Sequence, residues 1–595
     1  MTTKDKIAAL RTLMTKHGFT AYIIPPTDPH QSEYIADHWK VLPWLSGFTG
    51  SAGTLLVTQD FAGLWTDSRY FIQAEKELAG SGIELVRLKI PHSPEYIDWI
   101  KNNLKQGDIV GINGKVFSES LVRTLKKGIA DKGIRINCGL DIPGMLWKNR
   151  PPMSNNRVYE HEQIYAGTSR REKIQMVREQ MSKKSIDYHL LTSLDDIAWL
   201  FNLRGTDIDY NPLFIAYALL SSDNVTIFIN EQKLSSEVKQ SLLQDSVIIQ
   251  PYESIDKILS TLTLGSDVLF TSTKTSHYLT LNIPVHCKKI DDVSIPTRLK
   301  AIKGKAEIAN IRNAMIKDGV ALVKFYRWLE ENIGKEAITE VTIDEKLTSL
   351  RSHQKNYIGN SFATIAGYKD HGAIVHYTAN DQTAYTLKPE GILLLDSGAH
   401  YLDGTTDITR TTFLGDKPSE EEIRDYTMVL KGHIQLSMVK FPEGTKGYHL
   451  DILARKTLWE QCQNYGHGTG HGVGYFLNVH EGPQGITPNA VVKANLEPGM
   501  IQSNEPGFYK EGKYGIRLEN LIMVKEYQES EYGKFYEFES LTLFPYETKL
   551  IDPTFLEEKE KDWLNKYHNK VFENLSGKLN KEENQWLLEK TKKLT

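Results

Sequence analysis

GILLLDSGAHYLDGTTDITRT, residues 391–411, sets a run of aliphatic residues directly before an acidic one and then turns back. Asp396 ends the apolar run. A carboxylate at the end of a buried strand needs a partner, because an isolated charge out of water costs several kcal/mol. Asp407 follows eleven residues later, beyond Asp403-Gly404, a dipeptide suited to a tight hairpin turn. A hairpin through that turn brings the two aspartates together. Glu505 in QSNEPGFY and Glu519 in GIRLENLIMV stand seven residues either side of Gly512, in the turn-like KEGKYG. A hairpin centred there sets the glutamates almost opposite one another. Four carboxylates on two hairpins repel unless cations neutralise them, and that is the physical case for metal.

Between the acidic pairs lies YGHGTGHGVGYFLNVHEGP, residues 465–483, with five glycines at alternate positions from Gly466 to Gly474. Glycine permits close backbone approach and unusual dihedrals. Of the three histidines here, His471 is the ligand candidate, while His467 and His480 read as hydrogen-bond donors or proton carriers. Four carboxylates and one imidazole form an oxygen-rich set that favours Mn²⁺ over a structural zinc. Two bridging carboxylates would hold two ions ~3.5–4 Å apart, with a hydroxide between them as nucleophile. Singly, each residue has an ordinary reading: an Asp after a strand caps a turn, and a glycine run is a loop. The order D-x10-D, HGTGH, E-x13-E is what points to chemistry. Nine of the 18 histidines fall between His353 and His480, in the same region.

Outward from this region, the first 300 residues read as one α/β unit used twice. A helix at 4–17 leads into a strand at 21–25, then Trp44-Leu-Ser-Gly and a strand at 54–58. A helix at 171–184 leads into a strand at 188–192, then Trp199-Leu-Phe-Asn and strands at 214–220 and 225–229. Strands alternating with helices predict largely parallel or mixed sheets covered by helices. Residues 141–167, rich in Pro, Gly and Asn, read as a linker. The later region carries its own echo, a helix ending in KFYRWLEENI, 324–333, before one at 344–352, and YTMVLKGHIQLSMVKF, 426–441, before one at 450–460, so a pseudo-twofold α/β domain with a site between its halves is expected. The Lys/Glu-rich FLEEKEKDWLNKYHNKVFENL, residues 555–575, reads as solvated helix rather than a binding tail.

With 595 residues, the prior is about four domains. Lys+Arg 71 against Asp+Glu 75 leaves a net charge of -4, so no basic excess advertises nucleic acid or an anionic membrane surface. No apolar run approaches the ~20 residues that span a bilayer. MTTKDKIAALRTLMTKHGF is a charged amphipathic pattern rather than a secretory leader. Three scattered cysteines exclude a disulfide framework or a thiolate zinc site and point to a reducing cytoplasm.

The strings LLLDSGAHYLDGTTDITRT, HGTGHGVGYFLNVHEGP, SNEPGFY and GIRLEN together resemble the pita-bread metallopeptidases. Within them the match is to the three-domain cytosolic form of Xaa-Pro aminopeptidase, or aminopeptidase P. AYIIPPTDPHQSEYI, GFTGSAGT and WTDSRYFIQAEKEL resemble its first domain, LWKNRPP its linker, DDIAWLFNLRG its second domain and LTLFPYETKLID its C-terminal extension. The resemblance implies two related creatinase-like α/β domains at 1–155 and 156–300, a pita-bread catalytic domain at 301–540 and an extension at 541–595. It implies Asp396 on one metal, Asp407 and Glu519 as bridges, and His471 and Glu505 on the other. His376 in GAIVHYTAN, His467 and His480 match the family's active-site histidines. Arg69 in WTDSRYF matches an arginine presented toward the substrate; Arg517, just before Glu519, is grouped with the substrate-side residues and reads as a group supporting the ligands, with a surface arginine on a strand as its ordinary alternative. It also implies a homodimer.

The activity implied is hydrolysis of an N-terminal Xaa–Pro bond. The bridging hydroxide attacks the carbonyl, Glu505 passes the proton to the proline nitrogen, and His467 helps stabilise the tetrahedral intermediate. Two other readings stay open: a prolidase confined to Xaa–Pro dipeptides, and a catalytically inactive pita-bread binding module.

Overall fold

Short apolar runs flanked by amphipathic helices build two six-stranded sheets with one wiring plan. Numbered within each sheet in chain order, the strands lie 4-3-2-1-5-6 in both. The first strand is central in each: Ala21–Ile24, all four residues buried, and Tyr188–Leu191. Each pairs antiparallel with the second strand and parallel with the fifth. The helices feeding these strands, Thr3–Lys16 and Arg170–Lys183, both open on a capping box, Thr2 with Asp5 and Ser169 with Glu172. Those reciprocal bonds satisfy backbone donors that a helix start leaves orphaned. The expected duplication is therefore present down to the register of pairing.

The computed structural model describes residues 1–90 and 93–595. It falls into two compact units: Met1–His161 with Thr168–Pro296, which holds both six-stranded sheets, and Glu162–Gly167 with Thr297–Thr595. The stretch read as linker thus lends one helical turn, Gln163–Ala166, to the second unit, where the Tyr165 carbonyl accepts from Tyr475 Oη at 2.8 Å. Among the described residues no helix is long and apolar enough to cross a membrane.

In the second unit, helix Lys305–Asn332 packs on Glu340–Ser352, and Glu420–Met438 packs on Gly447–Trp459. Strand Ile392–Ser397, buried throughout, lies between Ile365–Tyr368 and Ile408–Phe413, both antiparallel to it. The Asp403-Gly404 turn joins a side hairpin, Ala399–Tyr401 with Gly404–Thr405. Lys317 Nζ and Asn313 Nδ2 hold the Asp403 carboxylate there, at 2.5 and 2.7 Å. A second sheet runs, in spatial order, through Gly533–Ser540, Asn520–Ser530, Ile501–Asn504 and Gly470–Gly472.

The helix Glu558–Leu575 corrects the solvated-helix expectation. Leu564, Tyr567, Val571 and Leu575 are buried in the main core, because the 3.6-residue apolar stripe found a partner. Gly432 marks where helix Glu420–Met438 meets Gly447–Trp459: a Cβ there would lie 2.2 Å from the Ala454 carbonyl oxygen. Gly432→Ala gains about 1 kcal/mol of helix propensity but forces two backbones apart, an overpacking cost of about 1–3 kcal/mol. A backbone carbonyl cannot swing aside, so the variant is expected to melt below wild type; a midpoint at or above wild type would refute this contact.

Candidate metal centre

Two hairpins bring the acidic residues together, and their register does the positioning. Asp396 pairs with Thr409 across the strands Ile392–Ser397 and Ile408–Phe413, which leaves Asp407 just beyond the last paired position. Asn504 pairs with Asn520, and further on Gly507 pairs with Arg517 about the turn at Gly512. Glu505 and Glu519 occupy the gap between those pairings, facing each other as the spacing predicts. A Cβ at Gly470 would sit 2.0 Å from the Ser503 carbonyl oxygen, so only glycine lets the His471 strand run this close to Ile501–Asn504.

One ligand atom each from Asp407, His471 and Glu519 lies within 4.8 Å of the others. His471 Nε2 is 3.5 Å from both Asp407 Oδ2 and Glu505 Oε1. That spacing is long for a hydrogen bond and suits donors sharing one ion at about 2.1 Å. His471 Nδ1 donates to the Gly472 carbonyl at 3.0 Å, which fixes the tautomer that turns the Nε2 lone pair toward the carboxylates. Thr409 Oγ1 donates to Glu519 Oε2 at 2.8 Å, and Ser503 Oγ to Glu505 Oε1 at 3.2 Å. Asp396 Oδ1 and Glu519 Oε1 are buried acceptors with no hydrogen-bond partner among the described residues. Orphaned acceptors of this kind are expensive, and a pair of divalent cations would satisfy them. The donor set fits the implied metal.

The electrostatics agree. Burial, then the charges of Asp396 and Glu505, hold Asp407 well above the usual carboxylate range. Burial and the neighbouring carboxylates do the same to Glu519. Glu505 is pushed up to about 7, mainly by burial, with Arg517 opposing the rise.

For Arg517 the structure decides between a group supporting the ligands and a surface strand position. It is 2% exposed and turned onto the acidic cluster, donating to Asp396 Oδ2 through Nη2 at 2.7 Å and Nε at 3.2 Å. Its Nη1 donates to Tyr509 Oη at 2.8 Å. Tyr509 in turn meets His467 Nε2 at 2.7 Å, while His467 Nδ1 donates to the Gly468 carbonyl at 2.7 Å. Arg517 can only donate to Tyr509, so the phenol proton goes to His467. Both ring nitrogens of His467 are thus engaged, which corrects the expectation that it stands ready to donate to an intermediate. Burial, with Arg517 next, pushes His467 down to about 3 and keeps it neutral.

The other two histidines stand at the rim. The exposed His480 ring packs edge-on against His471, with centroids 4.2 Å apart. Its neighbour Glu481 is buried between Lys303 at 2.6 Å and Lys300 at 3.1 Å. His376 is half-buried in a turn whose start and end are tied to one buried carboxylate. Glu340 accepts from the His371 ring, Tyr377 Oη and the Tyr385 N–H at 2.8–3.0 Å. Arg69 belongs to the other unit, where its guanidinium bonds Asp67 through two contacts of 2.8 Å.

Sequence reasoning passed over Arg410, although it stands in the opening stretch. Its guanidinium donates to the carbonyls of Glu519 at 2.6 Å, Phe544 at 2.6 Å and Pro545 at 3.0 Å, and to Asn520 Oδ1 and Tyr567 Oη. One buried arginine therefore ties the aspartate hairpin, the Glu519 backbone and the C-terminal extension together. Tyr509 and Glu340 were missed as well. Only the short distance from Glu505 to Tyr509 in the chain was a signal.

Residues 309–526 match the family model of metallopeptidase family M24, and 534–594 that of its C-terminal region. Residues 6–137 and 149–307 each match a creatinase/prolidase N-terminal domain. The "Xaa-Pro aminopeptidase 1" of Dictyostelium discoideum is 39% identical over 99% of this chain and 96% of its own. The "Probable Xaa-Pro aminopeptidase P" of Sordaria macrospora is 40% identical over 99% of both. Among solved structures, the X-prolyl aminopeptidase of Caenorhabditis elegans, described as a cytosolic enzyme with a di-nuclear active site, superposes with TM-score 0.95. It is 34% identical and covers 100% of both chains. An Xaa-Pro dipeptidase from Bacillus anthracis shares the fold over 64% of this chain, at 23% identity and TM-score 0.52.

The raised carboxylates give a pH signature. Without metal, folded Asp407, Glu505 and Glu519 keep protons that the unfolded chain releases near pH 4. Their stabilising contribution is complete below that pH and is lost as pH rises through the raised range of each, which for Glu505 is about 7. Divalent cations need these groups ionised. The gain in melting temperature on adding Mn²⁺ to chelator-treated protein should therefore grow from about pH 5 to about pH 8. A gain that is flat with pH would contradict this electrostatic account.

Proposed function

The chain belongs to the aminopeptidase P family of Xaa-Pro aminopeptidases within metallopeptidase family M24, and on that premise we propose that it removes the first residue of peptides whose second residue is proline. The observation that carries this reading is the converging donor set: Asp396, Asp407, His471, Glu505 and Glu519, two of them with buried, unpartnered oxygens. Asp396 would serve one ion and His471 with Glu505 the other, while Asp407 and Glu519 would serve both. Mn²⁺ suits so oxygen-rich a set. Two such ions, when bound, supply Lewis acidity and a water acidified to near neutral pH.

The remaining chemistry falls to the chain. Glu505 is assigned to take the proton of the attacking water and deliver it to the leaving nitrogen. That nitrogen belongs to proline, which has no N–H of its own and leaves only once protonated. Arg517 holds Asp396 in place with a charge-assisted pair of bonds. Tyr509, pinned between Arg517 and His467, keeps that imidazole oriented, while burial keeps it neutral. His376 and His480 are assigned to the peptide on either side of the reacting bond. Arg69 is kept as a substrate-side group on the family resemblance alone. A cytosolic setting agrees with the description of the nematode relative.

The test is turnover of an Xaa–Pro–Xaa tripeptide beside its Xaa–Pro dipeptide, with Mn²⁺ supplied. Release of the first residue from the tripeptide is expected. Asp407→Asn should lower kcat/KM by at least on the order of 100-fold, more than the loss usual for an outer partner of a ligand. Cleavage of the dipeptide alone would make the protein a prolidase, and no turnover with metal bound would make it a binding module.

A further inference from the structure

The segment that carries His467 cannot fix its own path, because Gly466, Gly468 and Gly470 alternate through it. A buried arginine on the neighbouring helix Gly447–Trp459 does so instead. Arg455 is 2% exposed, and its Nη2 donates to the His467 carbonyl at 2.6 Å. Its Nη1 donates to the Tyr465 carbonyl at 2.8 Å and to Asn464 Oδ1 at 3.2 Å. The guanidinium also lies over the Tyr465 ring, 3.8 Å from its centroid. Asp451, one turn earlier and equally buried, accepts from Arg455 Nε at 2.6 Å through one oxygen. Its other oxygen accepts from Thr469 Oγ1 at 2.7 Å. The Thr469 carbonyl then accepts from the Glu505 N–H at 2.7 Å.

We propose that Arg455 and Asp451 are a positioning pair for the reaction, clamping the glycine-rich loop on both sides of His467 and passing that constraint to the backbone of Glu505. The inference rests on the aminopeptidase reading for its catalytic consequence, though not for the clamp itself. A simple stabilising ion pair would need only one contact with its partner. Here a planar fork reaches three acceptors in the loop while a carboxylate fixes its plane, a geometry that lysine's single ammonium cannot reproduce. The Arg455 charge stands near His467 and adds to the forces holding that ring neutral. A loop displaced by about 1 Å can cost on the order of 100-fold in rate without changing which groups are present.

Arg455→Lys tests this in the full-length, Mn²⁺-loaded protein. On an Xaa–Pro–Xaa peptide, kcat should fall about 10- to 100-fold with KM within about threefold of wild type and bound Mn²⁺ unchanged. Hydrogen exchange in a peptide spanning residues 463–470 should quicken, while that of strand Ile501–Asn504 stays as in wild type. A folded variant with kcat within about twofold of wild type overturns the proposal, as does unchanged exchange in the loop. So does a kcat loss that merely follows loss of bound Mn²⁺. Should the lysine variant fail to fold, Asp451→Asn, which keeps the side-chain shape and removes the charge, is read by the same criteria. If wild type does not cleave the tripeptide, the functional reading fails and the exchange result alone decides the clamp.

Discussion

The organising constraint of this molecule is the mutual repulsion of four carboxylates set beside one imidazole. Burial first, and then like charges so close together, hold Asp407, Glu505 and Glu519 above the usual carboxylate range. Such an arrangement is tolerable with cations between the groups, and the unpartnered oxygens of Asp396 and Glu519 mark where cations would bind. The surrounding structure serves to hold that unfavourable cluster in a fixed geometry.

It does so with buried cations of its own, each tied to more than one element. Arg517 joins Asp396 to Tyr509 and, through it, to His467. Arg410 joins the strand next to Asp407 with the Glu519 backbone and with Tyr567 of the last long helix. Lys300 and Lys303 hold Glu481 beside His480. These arginines and lysines complete the hydrogen bonding around the ligands without competing for the oxygens left toward the metal site. The C-terminal extension is therefore part of the scaffold of the site, because its Tyr567 and the carbonyls of Phe544 and Pro545 complete the Arg410 fork.

Much of this was legible in the chain. The Gly512 turn places Glu505 opposite Glu519 because antiparallel register is set by the loop centre, and that arithmetic needs only spacing. The duplicated N-terminal sheets were readable for a similar reason, since strand and helix periodicities repeat in the same order. Arg410 and Tyr509 were not legible in their roles. Their partners lie up to 157 residues away, and an arginine in a strand looks the same whether it faces water or a buried carboxylate. The tautomer of His467 depends on a tyrosine 42 residues on, which no local pattern announces. The single turn Gln163–Ala166 was read as linker because four residues are too few for any periodicity to show.

Counting metal on the purified protein tests the central claim most directly. Protein equilibrated with Mn²⁺ and freed of excess should carry two ions per chain by elemental analysis, and Glu519→Gln, which removes a bridging charge, should carry fewer. A folded wild-type protein that retains no divalent ion, or a Glu519→Gln variant that retains the full wild-type count, would contradict the account.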